Sequence, residues 1–265
     1  MVRDENDEGR VTTVRRGRIL EITIDRPRKL NGFTPKMLHE LAQAYTTLEQ
    51  EEDLWCGVLT AAGPHFTAGL DLPKNAPRMK RGEDLWPAGM VDPLDLRPPR
   101  RSKPVVVAVK GYTYTIGIEL MLAADVVAAA SDCRFSQLEV KRAIMAAGGA
   151  TLRMVGRAGW GDAMLHLLTG DEFGPEEALR LHFVQLVVAP EAVEAKAREI
   201  AEAICRQAPL AVRATLANAR KGLEEGFEAA IADFRSTNQR LSNSEDAAEG
   251  LRSFVDRRPP VFSGR

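Results

Sequence analysis

Two stretches of this sequence share an order of residues that can build an anion site from backbone groups. In "VLTAAGPHFTAGLDL" and in "VVVAVKGYTYTIGIEL", an apolar strand leads into a turn of small residues and then into the start of a helix. Backbone N–H groups at a helix N-terminus have no partner and lie at the positive end of the helix dipole. If the two turns converge, these groups form an oxyanion hole for a carbonyl oxygen that develops negative charge. The two turns by themselves favour the simpler interpretation, which is an ordinary tight turn in each place.

Glu119, in the second stretch, is a side chain that can do acid–base chemistry. It lies in the apolar run "IGIELMLAAD", which predicts a buried helix, whereas the usual fate of a glutamate is a solvated surface charge. Ile116 and Glu119 are three residues apart, so they share one face of that helix. A carbonyl oxygen bound at the Ile116 N–H would therefore have the Glu119 carboxylate one turn away.

Hydrophobic periodicity indicates the elements that must position these groups. The segment "RILEITID" (18–25) alternates as a strand, and the apolar runs "CGVLT" (56–60) and "VVVAV" (105–109) predict buried strands. Thr34 and Pro35 are typical of a helix start, with a capping hydroxyl followed by proline in the first turn. Strands and helices thus alternate through the front of the chain, which indicates an α/β fold.

The remaining segments divide the chain into two regions. Residues 73–103 are rich in proline, arginine and methionine and predict a loop-like insertion, a kind of segment that is often functional. Met79, Trp86 and Met90 within it can line an apolar pocket or simply pack the loop. Strand signals become sparse after residue 190. We therefore predict a core domain over residues 1–190 that carries the site, and a helical region over residues 191–265, whose apolar faces favour a role in oligomerisation.

Composition and charge exclude several classes of protein. A chain of 265 residues with 45% hydrophobic and 28% charged residues can bury a sizeable core. Its net charge of −1 argues against a nucleic-acid partner. The sequence starts with charged residues and has no run of about 18 apolar residues, which argues against a signal peptide and a membrane span. We therefore expect a cytoplasmic enzyme or binding protein.

Cysteine and histidine patterns bear on metals and on compartment. The three cysteines are widely spaced, so they indicate neither a disulfide framework nor a metal site, and a reducing compartment is the simpler interpretation. None of the four histidines has metal-ligand spacing or belongs to a serine-hydrolase motif. The sequence therefore predicts no metal centre and no hydrolytic triad.

Four motifs resemble those of the crotonase (enoyl-CoA hydratase/isomerase) superfamily. The segment "HFTAGLDL" (65–72) is similar to that family's "FSAGADL" signature. The long segment "KPVVVAVKGYTYTIGIELMLAADVVAAASDCRFSQLEVKRAIM" is similar to its second half-motif. Further similarity lies in "LTGDEFGPEEALRLHFVQLVV" and in the C-terminal "AAEGLRSFVDRRPPVFSG". Because the resemblance extends over nearly the whole chain from about residue 11, it is more specific than a single short motif.

The resemblance implies a thioester of coenzyme A as substrate, with no metal and no redox cofactor. By position, the backbone N–H groups of Ala68 and Ile116 correspond to the two oxyanion donors. Glu119 and Glu139 correspond to the two catalytic glutamates of the family. Two carboxyl groups that face one water can act as base and acid in turn, as the addition of water to a double bond requires.

The same resemblance places coenzyme A along the first turn. The residues expected to bind it are Ala68, Gly69, Leu70, Asp71 and Leu72. Asp71 matches the motif aspartate of the family, and capping the following helix is as good an interpretation of it as contact with the substrate.

The second turn departs from the family pattern. Thr115 and Ile116 stand where glycines are usual, and of the glycine run only Gly117 remains. A backbone N–H donor survives this change, but the β-branched Ile116 side chain can narrow the acyl tunnel or reshape the turn. The acyl group of the substrate therefore stays open at the level of the sequence.

Taken with the residues, the resemblance predicts a crotonase-like fold of repeated β-β-α units in two roughly perpendicular sheets. The predicted function is enoyl-CoA hydratase, which converts a 2-trans-enoyl-CoA into a 3-hydroxyacyl-CoA. The alternatives are a Δ3,Δ2-enoyl-CoA isomerase and a non-catalytic acyl-CoA-binding member of the family. The helical C-terminal region is expected to form a homotrimer, two of which can stack into a hexamer.

Overall fold

Eight strands and eleven α-helices are present in residues 7–265, the part of the chain that the computed structural model describes. The first six residues, which the predicted core domain includes, lie outside the described residues. The strands are β1 (Arg10–Arg16), β2 (Ile19–Asp25), β3 (Cys56–Ala61), β4 (Val105–Val109), β5 (Tyr112–Tyr114), β6 (Val126–Ala130), β7 (Arg134–Ser136) and β8 (Leu186–Val188). The helices are α1 (Pro35–Gln50), α2 (Leu72–Lys80), α3 (Ile116–Ala123), α4 (Ala150–Ala158), α5 (Trp160–Thr169), α6 (Pro175–Arg180), α7 (Val193–Cys205), α8 (Pro209–Glu224), α9 (Phe227–Ala232), α10 (Phe234–Ser242) and α11 (Glu245–Asp256).

The strands form two sheets. The larger has the order β1-β2-β3-β4-β6-β8, with β1 antiparallel to β2 and every other pair parallel. The smaller sheet is the parallel pair β5 and β7. Strands β3 and β4 are buried along their whole length, which explains their continuous apolar runs in the sequence. The strands predicted over residues 18–25, 56–60 and 105–109 are confirmed as β2, β3 and β4.

Helices cover the larger sheet. Helix α1 begins where the sequence predicts, with the Thr34 hydroxyl accepting a hydrogen bond from the Met37 N–H at 3.2 Å. Helix α7 packs against β3, β4 and β6 and buries Val193, Ala197 and Ala201, one side chain per turn. Although α7 follows residue 190, it covers the sheet that carries the site. No helix within residues 7–265 is both long and apolar enough to span a membrane.

The insertion over residues 73–103 is only partly a loop. It begins as helix α2, because the Asp71 side chain caps the Lys74 N–H at 3.4 Å and Pro73 occupies the first turn. The segment after α2 is irregular and turns around Asp92, whose carboxylate accepts hydrogen bonds from three backbone N–H groups, those of Leu94, Leu96 and Arg97. The loop prediction was therefore wrong for α2, where a capping aspartate outweighs the prolines.

Candidate active site

The two small-residue turns lie side by side, as the sequence predicts. Thr67 pairs with strand β5, donating its N–H to the Tyr112 carbonyl at 3.0 Å and accepting from the Tyr114 N–H at 3.0 Å. The chain after β5 is held in turn by the small sheet, because the Thr115 N–H donates to the Ser136 carbonyl at 3.0 Å. The first turn, the second turn and the end of β7 therefore meet at one place.

A cavity of about 400 Å³ opens at this meeting point. Of the residues predicted for the site, it is lined by Ala68, Leu70, Leu72, Ile116, Glu119 and Glu139. Gly69 and Asp71 do not line it. The Asp71 carboxylate instead caps α2 and accepts a hydrogen bond from the buried Arg26 guanidinium at 2.8 Å, so the geometry favours the capping interpretation for this residue.

The backbone donors of the cavity differ in part from the prediction. Ile116 is the first residue of α3, and its N–H has no acceptor among residues 7–265, as expected for a helix start. The Ala68 N–H, by contrast, donates to the Leu30 carbonyl at 2.9 Å. That bond leaves the Ala68 N–H unavailable to a substrate, contrary to the prediction.

Leu70 carries the free donor of the first turn. Phe33 and Leu70 form an isolated β-bridge. The Phe33 N–H donates to the Gly69 carbonyl and the Asp71 N–H donates to the Phe33 carbonyl, each at 2.9 Å. Because the flanking groups face Phe33, the Leu70 N–H points away from that strand, and the described residues offer it no acceptor. Leu70 lines the cavity, so its N–H, like that of Ile116, is a backbone donor of the cavity wall without an acceptor in the described residues.

The Glu119 carboxylate accepts hydrogen bonds from backbone N–H groups of the segment that follows Glu139 in the chain. Its side chain is buried, and one carboxyl oxygen, Oε1, accepts from the Gly148 N–H at 2.6 Å and from the Ala150 N–H at 3.4 Å. Burial raises the pKa of Glu119, while these two N–H bonds and the charge of Arg153 act in the opposite direction. A Cβ atom at Gly148 would lie 2.3 Å from Glu119 Oε2, so a larger residue there would displace this carboxyl group. Sequence reasoning missed this clamp, although the glycines of "AAGGA" mark its place.

Glu139 lies opposite, in a 3₁₀ turn over Glu139–Arg142 that directly follows β7. Its Oε2 atom is buried without a hydrogen-bond partner in the described residues. Burial, with a further contribution from the negative charge of Glu119, raises the pKa of Glu139 to about 7. A carboxyl with a pKa near neutral can either donate or accept a proton.

The rest of the cavity wall is mainly apolar and includes part of the insertion. The large apolar side chains around the carboxyl pair are Leu70, Leu72, Met79, Leu85, Ile116, Leu138, Ile144 and Met145. A second cavity of about 310 Å³ lies within the insertion and shares Glu83, Leu85 and Ala147 with the first. Three insertion residues were candidates for lining a pocket. Met79 lines the first cavity, whereas Trp86 and Met90 line the second.

Within residues 7–265, no group of three or more histidine, cysteine, aspartate or glutamate side chains is arranged to hold a metal ion. The chemistry that this cavity offers consists of two carboxyl groups with raised pKa values and two free backbone donors. Such a set can move protons at carbon while stabilising negative charge on a carbonyl oxygen.

Comparison with sequence families and with curated proteins finds relatives that match nearly the whole chain. The family model described as "Enoyl-CoA hydratase/isomerase" matches residues 15–265. The chain is 34% identical over 259 residues to a carnitinyl-CoA dehydratase from Citrobacter koseri, across 95% of this chain and 97% of the relative. A carnitinyl-CoA dehydratase from Salmonella typhi is 33% identical with the same coverage.

Solved structures agree with these relatives. The crystal structure of a probable enoyl-CoA hydratase/isomerase from Mycobacterium abscessus superimposes with a TM-score of 0.93 at 44% identity, covering 96% of this chain and 98% of the other. The enoyl-CoA hydratase from Mycobacterium tuberculosis H37Rv superimposes with a TM-score of 0.86 at 33% identity, covering 97% and 100%. The two sheets and the helical C-terminal region are thus shared along the full length of these proteins.

Proposed function

The chain belongs to the enoyl-CoA hydratase/isomerase family and has the crotonase-like fold, and from this premise we propose that it is an enoyl-CoA hydratase. The proposed reaction adds water across the double bond of a 2-trans-enoyl-CoA and yields a 3-hydroxyacyl-CoA. The observation that carries this proposal is the pair Glu119 and Glu139, two carboxyl groups with raised pKa values in one cavity beside two free N–H groups.

The surroundings of the two carboxyl groups support different roles. Glu119 accepts two backbone N–H bonds, which favour its ionised form, so it serves as the base that takes a proton from water. Glu139 lacks such donors at Oε2 and has a pKa of about 7, so it serves as the acid. As the water oxygen bonds to C3, Glu139 delivers a proton to C2. The substrate gains one H and one OH, and the carboxyl pair ends with the single proton with which it began.

Negative charge develops on the thioester oxygen when water attacks C3. In the proposed mechanism, the N–H groups of Leu70 and Ile116 donate hydrogen bonds to that oxygen. One such donor typically accelerates a reaction by about 10²–10³, and a general acid–base group by about 10²–10⁴. These contributions come from groups of this chain, and we propose that the enzyme uses the coenzyme A thioester without a metal or a redox cofactor.

Carnitinyl-CoA is a second candidate substrate, because two of the relatives are named for it. Loss of water from such a substrate would use the same carboxyl pair in the opposite direction. The cavity argues against it, because its wall consists mainly of leucine, isoleucine and methionine side chains. The one acidic side chain of the insertion in this wall, Glu83, is already paired with Arg78 and Arg81. An uncharged acyl group therefore fits the cavity better than the positively charged carnitinyl group.

Two point variants test the proposed reaction. We expect Glu119→Gln and Glu139→Gln each to lose hydration of 2-trans-enoyl-CoA by about 10²-fold or more, because each removes a proton-transfer group. Both variants should still bind the thioester, since the oxyanion donors belong to the backbone. The measurement is the loss of the conjugated enoyl absorbance, on chains of several lengths, with binding followed by calorimetry.

The controls distinguish the alternatives. Glu191→Gln removes an exposed glutamate at the start of the helical region and should keep full activity. An isomerase needs one carboxyl to move a proton, by family resemblance Glu139, so Glu119→Gln would then retain most activity on a 3-enoyl-CoA. A binding protein would turn over neither substrate as the wild type. Near wild-type hydration by Glu119→Gln would refute the mechanism.

A further inference from the structure

Thr115 adopts a backbone conformation that side chains rarely accept. Its φ and ψ are 51° and −117°, a region that glycine occupies without cost and that a β-branched residue disfavours. Strain of this kind persists only where the surrounding structure imposes it, and it concentrates at functional sites. Thr115 immediately precedes Ile116, so the strained residue lies directly beside one of the two free backbone donors.

The Thr115 hydroxyl lies between the two turns. A Cβ atom built on Gly69 would lie 2.3 Å from Thr115 Oγ1, so the hydroxyl packs directly over the Gly69 backbone. Gly69 is bonded to Leu70, and Thr115 is bonded to Ile116. The hydroxyl is therefore one residue away from each free N–H group and lies at the junction of the turns that carry them.

The Thr115 hydroxyl has no hydrogen-bond partner in the part of the chain that the structure describes. Thr115 lines the catalytic cavity, and its Oγ1 atom makes no hydrogen bond to any of residues 7–265. In the free protein a hydroxyl that faces a cavity can bond to water. When a substrate fills the cavity and excludes that water, an unpaired hydroxyl costs free energy unless the substrate accepts its hydrogen bond.

We propose that the Thr115 hydroxyl is a third donor of the oxyanion hole, which hydrogen-bonds to the thioester carbonyl oxygen together with the N–H groups of Leu70 and Ile116. The inference rests on the proposed function for its substrate, an acyl thioester of coenzyme A. The carbonyl oxygen is the strong acceptor of a thioester, and it gains negative charge during the reaction. The hydroxyl thus bonds more strongly to the transition state than to the bound substrate, which is the condition for a catalytic contribution.

The decisive variant is Thr115→Val, which replaces the hydroxyl with a methyl group and keeps the β-branched shape. We expect a loss of kcat/KM of about 10²-fold for hydration, the typical effect of one oxyanion donor. Thr115→Ser keeps the hydroxyl and should stay close to the wild type. Thr115→Gly relieves the backbone strain, so it should melt at a higher temperature than the wild type and be as slow as the valine variant.

A spectroscopic measurement separates this role from a purely structural one. Butanoyl-CoA, labelled with carbon-13 at the thioester carbonyl, cannot be hydrated, and its carbonyl stretch can be followed by isotope-edited infrared spectroscopy when bound. The wild type should shift this band to lower frequency than Thr115→Val does, because a third donor polarises the carbonyl further. The matched control is Thr113→Val, which alters a buried, unpartnered hydroxyl two residues away that does not line the cavity; it should leave the band unchanged.

The outcomes are distinct. Equal carbonyl frequencies and equal turnover in the wild type and Thr115→Val would overturn the role of Thr115 while leaving the hydratase proposal intact. A shifted band in a wild type that hydrates no enoyl-CoA would support Thr115 and refute the proposed reaction. Failure of the wild type to bind butanoyl-CoA would overturn both, because Thr115 is proposed to contact that thioester.

Discussion

At the level of single residues, the two glutamates of the cavity differ in what surrounds their carboxyl oxygens. Glu119 is fastened by two backbone N–H groups, whereas Glu139 keeps a buried oxygen without a partner. Since bonds from N–H groups stabilise an ionised carboxylate and burial without partners destabilises it, the two groups carry their proton differently at the same pH. In the proposed mechanism, this asymmetry makes Glu119 the base and Glu139 the acid.

The asymmetry predicts the pH dependence of hydration. The acid, Glu139, must be protonated, and its pKa is about 7, so kcat/KM should fall as the pH rises above about 7. The base, Glu119, must be ionised, and burial raises its pKa, so activity should also fall on the acid side, at a pH above the ordinary 4.5 of a glutamate. A pH–rate profile measured with a single enoyl-CoA checks both limbs, and a flat profile across neutral pH would contradict the assignment.

At the level of elements, the insertion between β3 and β4 contributes to the walls of both cavities. Helix α2 brings Met79 to the catalytic cavity, and the irregular segment after it encloses the second cavity. Leu85 lines both cavities, so it stands at their common boundary. An acyl chain that outgrows the first cavity would therefore extend past Leu85 into the second.

Filling that boundary should change which chain lengths the enzyme accepts. We expect Leu85→Trp to lower kcat/KM for long 2-enoyl-CoA chains much more than for short ones. Burial of each methylene contributes about 0.8 kcal/mol, so excluding two of them lowers the long-to-short ratio by about tenfold. Steady-state kinetics across a chain-length series measures this ratio. Leu179→Trp, at an exposed leucine outside both cavities, should leave the ratio unchanged, and an unchanged ratio in Leu85→Trp would disprove the connection.

At the level of the whole molecule, the last helix has its apolar side outward. Helix α11 buries Asp246 and Glu249, which accept hydrogen bonds from the C-terminal tail, and it exposes Phe254 with 81% of its surface accessible. On α9, Phe227 is similarly exposed, at 80%. Apolar surface of this extent is typical of an interface between subunits.

These faces support the expectation of a homotrimer or a hexamer. Light scattering on the purified protein should give three or six times the mass of one chain at micromolar concentration. Phe254→Glu places a charge on the exposed face of α11 and should shift the protein towards the monomer. Val14→Glu, at an exposed position of the edge strand β1, is the control and should not. A monomeric wild type would contradict this prediction and the oligomerisation role of residues 191–265.

The features of this protein that depend on near neighbours along the chain can be predicted from the sequence. Strands β2, β3 and β4 follow from alternating or continuous apolar residues, and α1 begins at the capping hydroxyl of Thr34. The burial of Glu119 follows from the apolar helix around it. These features are local, because periodicity and capping act over a few residues.

Which polar groups remain available for hydrogen bonds to a ligand depends on contacts between distant segments of the fold. The Ala68 N–H is lost to Leu30, a residue far away in the sequence, and Leu70 is left free by a bridge to Phe33. The clamp on Glu119 comes from Gly148, 29 residues further along the chain. Each of these outcomes depends on a hydrogen-bond partner that the fold brings from another segment. Spacing within one motif therefore identifies the turns, but the pairing between distant segments selects the donor atoms.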